Sequence, residues 1–392
     1  MISNGIDVFK RQQFKALHGK RVGLIVNPTS VDANFVHLID LLHADKRLTL
    51  SAILGPEHGV RGEAQYMVAV DDVARDSKTG VPVYSLYGHT YESLTPRAEW
   101  LKALDVMVFD IQDVGSRYYT YIYTMALAMK AAAKQNLEFI VLDRPNPLGL
   151  TQLEGNIVGE KYRSFVGLYP LATRHGMTAG EIARWVNETE KLNCALTVIS
   201  CEGLKRTHSW ADTGLPFISP SPNMPTPDTA LVYPGMCLGE GTNISEGRGT
   251  CRPFEQFGAP FLKSGEVADA LNSLQLPGVR FRPCAFTPTF DKFKGVSCEG
   301  AFIHVTDPRI FKPLLTGVAV FKVCRELAGA SFAWRADAYE FVEDVPAFDL
   351  LCGTDAVRLG YEGGKKLSEI SPAVDAITEA FQQSRNRAML YD

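Results

Sequence analysis

The sequence lacks the features that would place this protein in a membrane or on a nucleic acid. No apolar run approaches the roughly 18–20 residues that a bilayer-spanning helix needs. Positive charge is not in excess, because 40 Lys and Arg stand against 44 Asp and Glu, for a net charge of −4. Such a chain has no global basic field that attracts nucleic acid or anionic lipid. We therefore expect neither nucleic acid nor membrane as a partner.

Cysteine is absent from the first 193 residues. The eight cysteines lie at or after Cys194, and no two are spaced as C-x-x-C. That spacing is typical of structural zinc sites and thioredoxin-like centres, so we predict no metal site of this kind. Scattered cysteines at apolar positions are typical of reduced, buried thiols, which favours a cytoplasmic protein.

Several short motifs are also missing. Met1–Asp7 contains no basic stretch followed by an apolar one, so no signal peptide is visible. This favours a cytoplasmic location, while a periplasmic or secreted one stays open if the sequence has been trimmed. The phosphate loop G-x-x-x-x-G-K-[ST], the G-x-S-x-G elbow and H-E-x-x-H do not occur. Their absence disfavours a nucleotide-binding protein, a serine hydrolase and a zinc protease, and we expect no cofactor.

The length and the pattern of the first half predict a two-domain α/β protein. A single core stops growing near roughly 250–300 residues, and this chain has 392. Short β-branched runs alternate with helical patterns, which predicts a mostly parallel sheet covered by helices on both faces. The predicted strands are 21–28, 48–55, 81–87, 106–113 and 138–143. The predicted helices are 31–44, one from residue 95, 119–135, and one capped by Thr178 and Glu181.

Residues 215–228 hold five prolines, which exclude the interior of a regular element. We interpret this segment as a linker or a rigid crossing segment. It sets the predicted domains at 1–228, an α/β domain, and 229–392, a smaller α+β domain. In the second domain the predicted strands are 279–281 and 300–305, and the predicted helices are 264–274, 311–327 and 373–387.

Polar residues follow four of the predicted strands, at the sheet edge where ligands bind in open α/β folds. Three of these strand ends carry carboxylates, which favours a hydrolase or carbohydrate site over a nucleotide site. The segments are Asn27-Pro28-Thr29-Ser30 after strand one, Gly55-Pro56-Glu57-His58-Gly59 after strand two, Asp110–Tyr119 after strand four, and Asp143–Pro147 after strand five, with Glu154 a little later.

Glu57 lies in a tight loop, where burial suits a carboxyl group to proton transfer. His58 is expected either to orient Glu57 or to bind substrate. If their strand is extended, Asp110 and Asp113 point to opposite faces of the sheet. They are then not a same-face pair, and one of them is expected to support the site from behind rather than to contact substrate. The alternative is an ion pair that only orders the loop.

Other candidates are expected to bind substrate. Arg117, at a predicted helix start, favours an anionic group on the ligand, and Tyr118 and Tyr119 beside it suit a sugar face. The proline-stiffened loop after strand five contributes Arg144 and Asn146. A glycine-rich stretch in the second half is expected to close over the site, and its candidates are Glu240, Glu246 and Arg248.

Together these loops resemble the NamZ-type exo-β-N-acetylmuramidase family, long catalogued as a domain of unknown function. The resemblance covers the chain from about Gly5 to the C-terminus. It rests on four motifs: GPEHG at 55–59 with Arg61 and Gly62, FDIQDVGSRYYTY at 109–121, LDRPNP at 142–147, and EGT at 240–242 followed by SEGRGT at 245–250.

The resemblance implies a bacterial peptidoglycan hydrolase of cell-wall turnover that removes terminal β-1,4-linked N-acetylmuramic acid from disaccharides or muropeptides. It implies a cleft between a Rossmann-like domain and a smaller one, with Glu57 as the catalytic carboxylate. Glycoside hydrolysis usually needs a second carboxylate. We favour Glu154 over Asp110, Asp113, Glu240 and Glu246, and the substrate's acetamido group is a further alternative.

Two rival functions remain at this stage. One is a protein on the same scaffold that binds amino sugars or muropeptides without catalysis. The other is a metal-dependent hydrolase that uses His58, Asp110 and Asp113 around one ion.

Overall fold

The computed structural model describes residues 2–60 and 73–392. Arg61 and Gly62, which belong to the first family motif, lie outside the described residues. The strands are β1 (Arg21–Val26), β2 (Thr49–Gly55), β3 (Val73–Arg75), β4 (Pro82–Ser85), β5 (Val106–Asp110), β6 (Glu138–Leu142), β7 (Glu154–Ile157), β8 (Ala172–Arg174), β9 (Ala195–Ile199), β10 (Gln256–Ala259), β11 (Val279–Phe286) and β12 (Cys298–Val305).

The α-helices are α1 (Gly5–Arg11), α2 (Leu38–Ala44), α3 (Ala98–Leu101), α4 (Tyr121–Lys134), α5 (Ala179–Thr189), α6 (Trp210–Thr213), α7 (Pro227–Met236), α8 (Ser264–Ser273), α9 (Pro313–Ala328), α10 (Ala347–Cys352), α11 (Ala356–Glu362), α12 (Leu367–Ile370) and α13 (Glu379–Ala388). No helix among the described residues combines the length and the apolar character needed to cross a membrane.

The central sheet has the strand order β3-β4-β2-β1-β5-β6-β9. Its pairs are parallel except the edge pair of β3 and β4, which is antiparallel. Along β5, Met107 and Phe109 enter one apolar cluster while Val106 and Val108 enter the cluster on the opposite face. A parallel sheet covered on both faces requires this apolar pattern. The predicted mostly parallel α/β architecture is confirmed.

The second half is the α+β unit that the sequence predicts. Strands β10, β12 and β11 form an antiparallel sheet, against which α8 packs. The apolar cluster on one face of the central sheet continues into this half, where it includes Phe321 and Phe348. The two halves therefore share a core, and their division at residue 228 stays a prediction.

Three helices begin later in the structure than the sequence predicts. The first helix begins at Leu38 rather than 31, because the Asp32 carboxylate accepts the N–H groups of Asn34 and Val36 and turns the chain. The second begins at Ala98, so Pro96 lies outside it. The last begins at Glu379 rather than 373, after a cap by the side chain of Thr378. In contrast, the capping box of Thr178 and Glu181 is confirmed.

Two glycines let α7 and α9 pack backbone against backbone. A Cβ atom at Gly317 would lie 2.1 Å from the carbonyl oxygen of Gly235, and one at Gly235 would lie 2.0 Å from that of Pro313. Both contacts involve backbone atoms, which cannot rotate away. The junction of these helices therefore tolerates no side chain at either position.

We predict that Gly317→Ala lowers the free energy of unfolding by about 1–3 kcal/mol, as overpacking of a tight core does. The matched control is Gly265→Ala in α8, where an added methyl group meets open space. This control should raise stability by about 0.5–1 kcal/mol, since alanine restricts the unfolded chain. Denaturant titration of both variants measures the changes, and a neutral Gly317→Ala would contradict the packing.

Candidate active site

The strand order creates a crevice at the carboxyl ends of the strands beside β1. The chain continues from β1 to β2 on one side and later places β5 on the other, so the loops after β2 and β5 diverge there. Ligands bind at such a switch point in open α/β sheets. The loop after β2 carries Glu57, and the segment after β5 leads into α4 through the tyrosines.

A strained turn presents Glu57. The Gly59 N–H donates a hydrogen bond of 3.0 Å to the Pro56 carbonyl, and His58 and Gly59 have φ angles of 70° and 78°. A non-glycine residue such as His58 in the left-handed region costs about 1–3 kcal/mol, a strain that clusters at functional sites. The Glu57 and His58 side chains are 11% and 10% exposed, with Oε1 and Nε2 4.0 Å apart.

Both halves of the protein contribute to the cleft around Glu57. The side chains that line it are His58, Tyr118, Tyr119, Thr120, Tyr121, Val166, Ser221, Asn223, Met224, Tyr233, Glu240, Arg248, Phe254, Tyr339 and Glu340. Carboxylates, tyrosines and one cation thus converge within the described part of the wall. This mixture suits a polar ligand with hydroxyl groups and ring faces.

Glu240 is a charge-paired carboxylate of the cleft. The Arg248 Nη2 atom donates to its Oε1 at 2.5 Å, and the Tyr339 hydroxyl donates to its Oε2 at 2.7 Å. Behind them, Glu246 lies 3.1 Å from Arg248 Nε and 2.8 Å from Lys292 Nζ. Glu240 is therefore fixed by an ion pair and a hydrogen bond, and Glu246 contacts Arg248 from outside the cleft lining.

Glu340 is a cleft carboxyl group that the sequence gives no reason to select. Tyr339 and Val342 exchange two backbone hydrogen bonds around Glu340 and Phe341, whose φ angles are 47° and 67°. A hairpin turn of this kind favours Asn and Gly, and neither is present. The sequence therefore does not mark this turn, and only the folded structure brings Glu340 close to Glu57.

The surroundings of Glu340 keep it protonated. Burial, followed by the negative charges of Glu57 and Glu240, raises the pKa of Glu340 well above its usual range. The Tyr87 hydroxyl lies 3.4 Å from its Oε2. Like charges that share one buried site resist joint ionisation. Glu340 is therefore a cleft carboxyl group whose surroundings favour its protonated form.

The sequence left two interpretations of the proline-rich segment 215–228, a linker or a rigid crossing segment. Its contacts in the structure support the rigid crossing segment. Pro220 accepts hydrogen bonds from Asn27 Nδ2 at 3.1 Å and from the Tyr121 hydroxyl at 2.8 Å, which fix the segment to the sheet edge. Asn223 follows, and it lines the cleft. Its Nδ2 is buried and has no hydrogen-bond partner in the described chain. An unsatisfied buried donor in a cleft indicates a ligand group that accepts from it.

Six of the predicted site residues line the cleft: Glu57, His58, Tyr118, Tyr119, Glu240 and Arg248. The other eight lie outside its lining: Asn27, Asp110, Asp113, Arg117, Arg144, Asn146, Glu154 and Glu246. Each of these eight has a hydrogen-bond or ion-pair partner inside the protein, and its expected contact with substrate stays a prediction.

Asp110 and Arg144 form a fully buried ion pair. The Arg144 Nε and Nη2 atoms donate to the two oxygens of Asp110 at 2.6 and 2.9 Å. Asp113 accepts the Gly115 N–H at 2.7 Å, and Asn146 donates to the Met177 carbonyl at 3.0 Å. These groups order the loops behind the cleft, as the alternative of a structural ion pair predicts. Asp110 has no open path to a substrate in the cleft.

Arg117 connects the two halves rather than binding a ligand. Its guanidinium is fully buried and donates to the backbone carbonyls of Asn156 and Leu171 at 2.7 and 3.1 Å, and to that of Leu351 at 3.0 Å. Leu351 lies in the second half of the chain. A buried cation that donates to backbone carbonyls of both halves is a structural link between them.

Glu154 also lies at the junction of the halves. It pairs with Arg174 across β7 and β8 and accepts the Leu315 N–H of α9 at 2.9 Å. Its other oxygen has no hydrogen-bond partner within the described chain. Burial, opposed by the Leu315 N–H and by Arg174, raises the pKa of Glu154 to about 7. The residue favoured as second catalytic carboxylate is thus not among the residues that line the cleft.

The metal-dependent alternative has no matching geometry. His58 lines the cleft, whereas Asp110 is paired with Arg144 and Asp113 holds Gly115. Across residues 2–60 and 73–392, no three His, Cys, Asp or Glu side chains cluster so that they could hold an ion.

Glycoside hydrolases use a pair of carboxyl groups that flank the scissile bond, and this cleft contains several carboxyl groups. Comparison with known proteins identifies the family. The model of the N-terminal part of exo-beta-N-acetylmuramidase NamZ matches residues 22–228, and that of its C-terminal part matches residues 231–391. The chain belongs to the NamZ exo-β-N-acetylmuramidase family, which confirms the resemblance seen in the four motifs.

Relatives match along the whole chain. The peptidoglycan beta-N-acetylmuramidase NamZ of Bacillus subtilis (strain 168) is 46% identical over 392 residues, which cover 100% of this chain and 91% of that protein. Two crystal structures of DUF1343 family proteins from Bacteroides fragilis NCTC 9343 are similar, at 37% identity with a TM-score of 0.89 and at 30% with 0.76. Each comparison covers 100% of this chain and 99% of the other.

We predict that Glu154 makes the folded protein less stable as pH rises. Its folded pKa of about 7 exceeds the usual 4.5, so the folded state binds this proton more tightly. The resulting stability is present below pH 4.5 and is lost as pH rises through 7, on the order of 3 kcal/mol in all. Glu154→Gln keeps an acceptor for Leu315 and should remove this loss.

Denaturant titrations between pH 4 and 8 measure the effect, with exposed Glu160→Gln as the matched control. The control should retain the wild-type decline. An identical decline in Glu154→Gln would show that Glu154 does not cause it.

Proposed function

We propose that this protein is an exo-acting glycoside hydrolase that releases non-reducing terminal β-1,4-linked N-acetylmuramic acid from peptidoglycan fragments. Family membership supports the reaction. The observation that carries the assignment to this cleft is the pair of Glu57 and Glu340, two nearly buried carboxyl groups, each on a strained turn.

Glu57 is the proposed acid/base. Breaking the glycosidic bond requires a proton on the departing oxygen, and water then adds to the anomeric carbon and returns a proton to a carboxylate. Glu340 keeps a proton beside Glu57, so the pair can supply one and accept one within a single cleft. Glu340 replaces Glu154 as the proposed second carboxyl group. The substrate's own acetamido group remains an alternative nucleophile.

Two other side chains have proposed roles in recognition. N-acetylmuramic acid carries a lactyl carboxylate, and Arg248 is the cation in the described cleft wall that can meet it. The Asn223 Nδ2, a buried donor without a partner in the described chain, suits the acetamido carbonyl of the sugar. These contacts take over the anionic and polar recognition first expected of Arg117 and Asn146.

We predict that Glu57→Gln folds normally and loses at least about a hundredfold in turnover, the usual contribution of a general acid/base. The measurement is incubation with the disaccharide N-acetylmuramic acid-β-1,4-N-acetylglucosamine, with free N-acetylmuramic acid followed by mass spectrometry. Exposed Glu160→Gln is the control and should match wild type. Near wild-type turnover in Glu57→Gln would remove Glu57 from the mechanism. No release by the wild type would overturn the proposed activity.

We predict that Glu340→Gln shifts the alkaline limb of the kcat/KM profile to lower pH. The proton that burial and the charges of Glu57 and Glu240 hold on Glu340 is then missing, so the cleft loses a carboxyl group that can donate a proton at high pH. The control is Glu343→Gln, an exposed residue of the same segment. Profiles measured from pH 4 to 9 that coincide for Glu340→Gln and wild type would exclude Glu340 from proton transfer.

A further inference from the structure

The Tyr121 hydroxyl lies where three segments of the cleft wall meet. Tyr121 is the first residue of α4, lines the cleft and is 3% exposed. Its hydroxyl oxygen lies 2.8 Å from the carbonyl oxygen of Pro220 in the crossing segment and 3.4 Å from that of Glu57. The Nδ2 atom of Asn27, which follows β1, donates to the same Pro220 carbonyl at 3.1 Å. One hydroxyl thus connects the start of α4, the crossing segment and the turn that presents Glu57.

The Tyr121 hydroxyl keeps its proton and serves as a hydrogen-bond donor at neutral pH. Burial, followed by the negative charge of Glu57, raises the pKa of Tyr121 above its usual range. Both carbonyl oxygens beside the hydroxyl can only accept hydrogen bonds. The contact with Pro220 has the length of an ordinary hydrogen bond, and the contact with Glu57 is a longer, weaker one. The hydroxyl is therefore fixed by Pro220 and directed toward the Glu57 turn.

The groups around the hydroxyl are fixed as well. Tyr119 packs edge-on against Tyr121, with ring centroids 5.1 Å apart and an interplanar angle of 81°. Asn27 is fully buried, and its Oδ1 accepts the Thr29 N–H at 2.9 Å, which leaves Nδ2 directed at Pro220. A rigid support of this kind holds a functional group more precisely than a loop does alone.

The Glu57 turn is strained, so its position depends on contacts from outside the turn. His58 has a φ angle of 70°, a strain that persists only where the surrounding structure fixes it. The crossing segment that Tyr121 contacts also carries Asn223, the proposed donor to the sugar. A displacement of about 1 Å between reacting groups can cost about a hundredfold in rate. The contacts of Tyr121 thus fix the distance between the acid/base and the bound sugar.

We propose that Tyr121 is a positioning residue for Glu57: its hydroxyl joins the Glu57 turn to the crossing segment and so keeps the carboxyl group at the glycosidic oxygen. The proposal rests on the proposed function, since it concerns the proton that Glu57 transfers. Tyr121 itself neither transfers a proton nor recognises the substrate in this proposal. Loss of its hydroxyl therefore lowers kcat and leaves KM nearly unchanged.

The first test is Tyr121→Phe, which removes the hydroxyl and keeps the ring. With the disaccharide N-acetylmuramic acid-β-1,4-N-acetylglucosamine, kcat should fall about tenfold or more while KM stays within about twofold of wild type. The matched control is Tyr123→Phe, a buried tyrosine two residues further along α4 that is not among the residues lining the cleft, and it should behave as wild type. An unchanged kcat in Tyr121→Phe, or a loss confined to KM, would contradict the proposal.

An aryl glycoside distinguishes positioning of the acid from a general effect on the fold. The 2,4-dinitrophenolate group departs without a proton, so a 2,4-dinitrophenyl β-N-acetylmuraminide does not require acid catalysis. With this substrate the loss in kcat/KM should largely disappear for Tyr121→Phe, as it should for Glu57→Gln. A loss of the same size on the disaccharide and on the aryl glycoside would overturn the positioning role.

A double variant gives an independent measurement. Residues that act as one unit have non-additive effects, so Tyr121→Phe combined with Glu57→Gln should be about as active on the disaccharide as Glu57→Gln alone. Losses that multiply would show that Tyr121 acts separately from Glu57. No turnover of either substrate by wild type would overturn the proposed activity and this proposal with it, whereas normal turnover by Tyr121→Phe overturns this proposal alone.

Discussion

Parallel pairing of β1 with both β2 and β5 is the constraint on which the cleft depends. Because these strands run in one direction, their carboxyl ends and the loops that follow lie at one edge of the sheet. Glu57 and the tyrosines before α4 meet there although some sixty residues separate them. Apolar clusters cover both faces of the sheet, so the polar functional groups lie in the loops.

Burial then gives similar carboxyl groups different states. Asp110 is paired with Arg144, and Glu240 with Arg248 and the Tyr339 hydroxyl. Among the described residues Glu340 forms no such ion pair, and desolvation together with its acidic neighbours raises its pKa. A low-dielectric site amplifies such differences, because an unpaired charge there is costly. The environment of each carboxyl group therefore decides its role.

The polar residues of the strand ends form two layers. One layer faces the cleft and includes Glu57 and His58. The other layer, with Asp110, Arg144 and Asn146, holds the loops in position from behind. Arg117 extends this second layer to the C-terminal half through the Leu351 carbonyl. A strained turn such as that of His58 persists only where surrounding contacts fix it, and one such contact is the Tyr121 hydroxyl, 3.4 Å from the Glu57 carbonyl oxygen.

The sequence by itself determined the parallel α/β core, the α+β second half and the place of Glu57, because hydrophobic period and strand-end position are local properties. It also marked Tyr118, Tyr119, Glu240 and Arg248. Only the tertiary structure separated the two layers of strand-end residues, since the face on which a loop side chain lies depends on contacts distant in sequence. Glu340 illustrates this: its turn has neither Gly nor Asn, and its proton depends on burial with Glu57, 283 positions earlier. Strand ends can be read from a sequence, but which charges share a cavity is decided by packing.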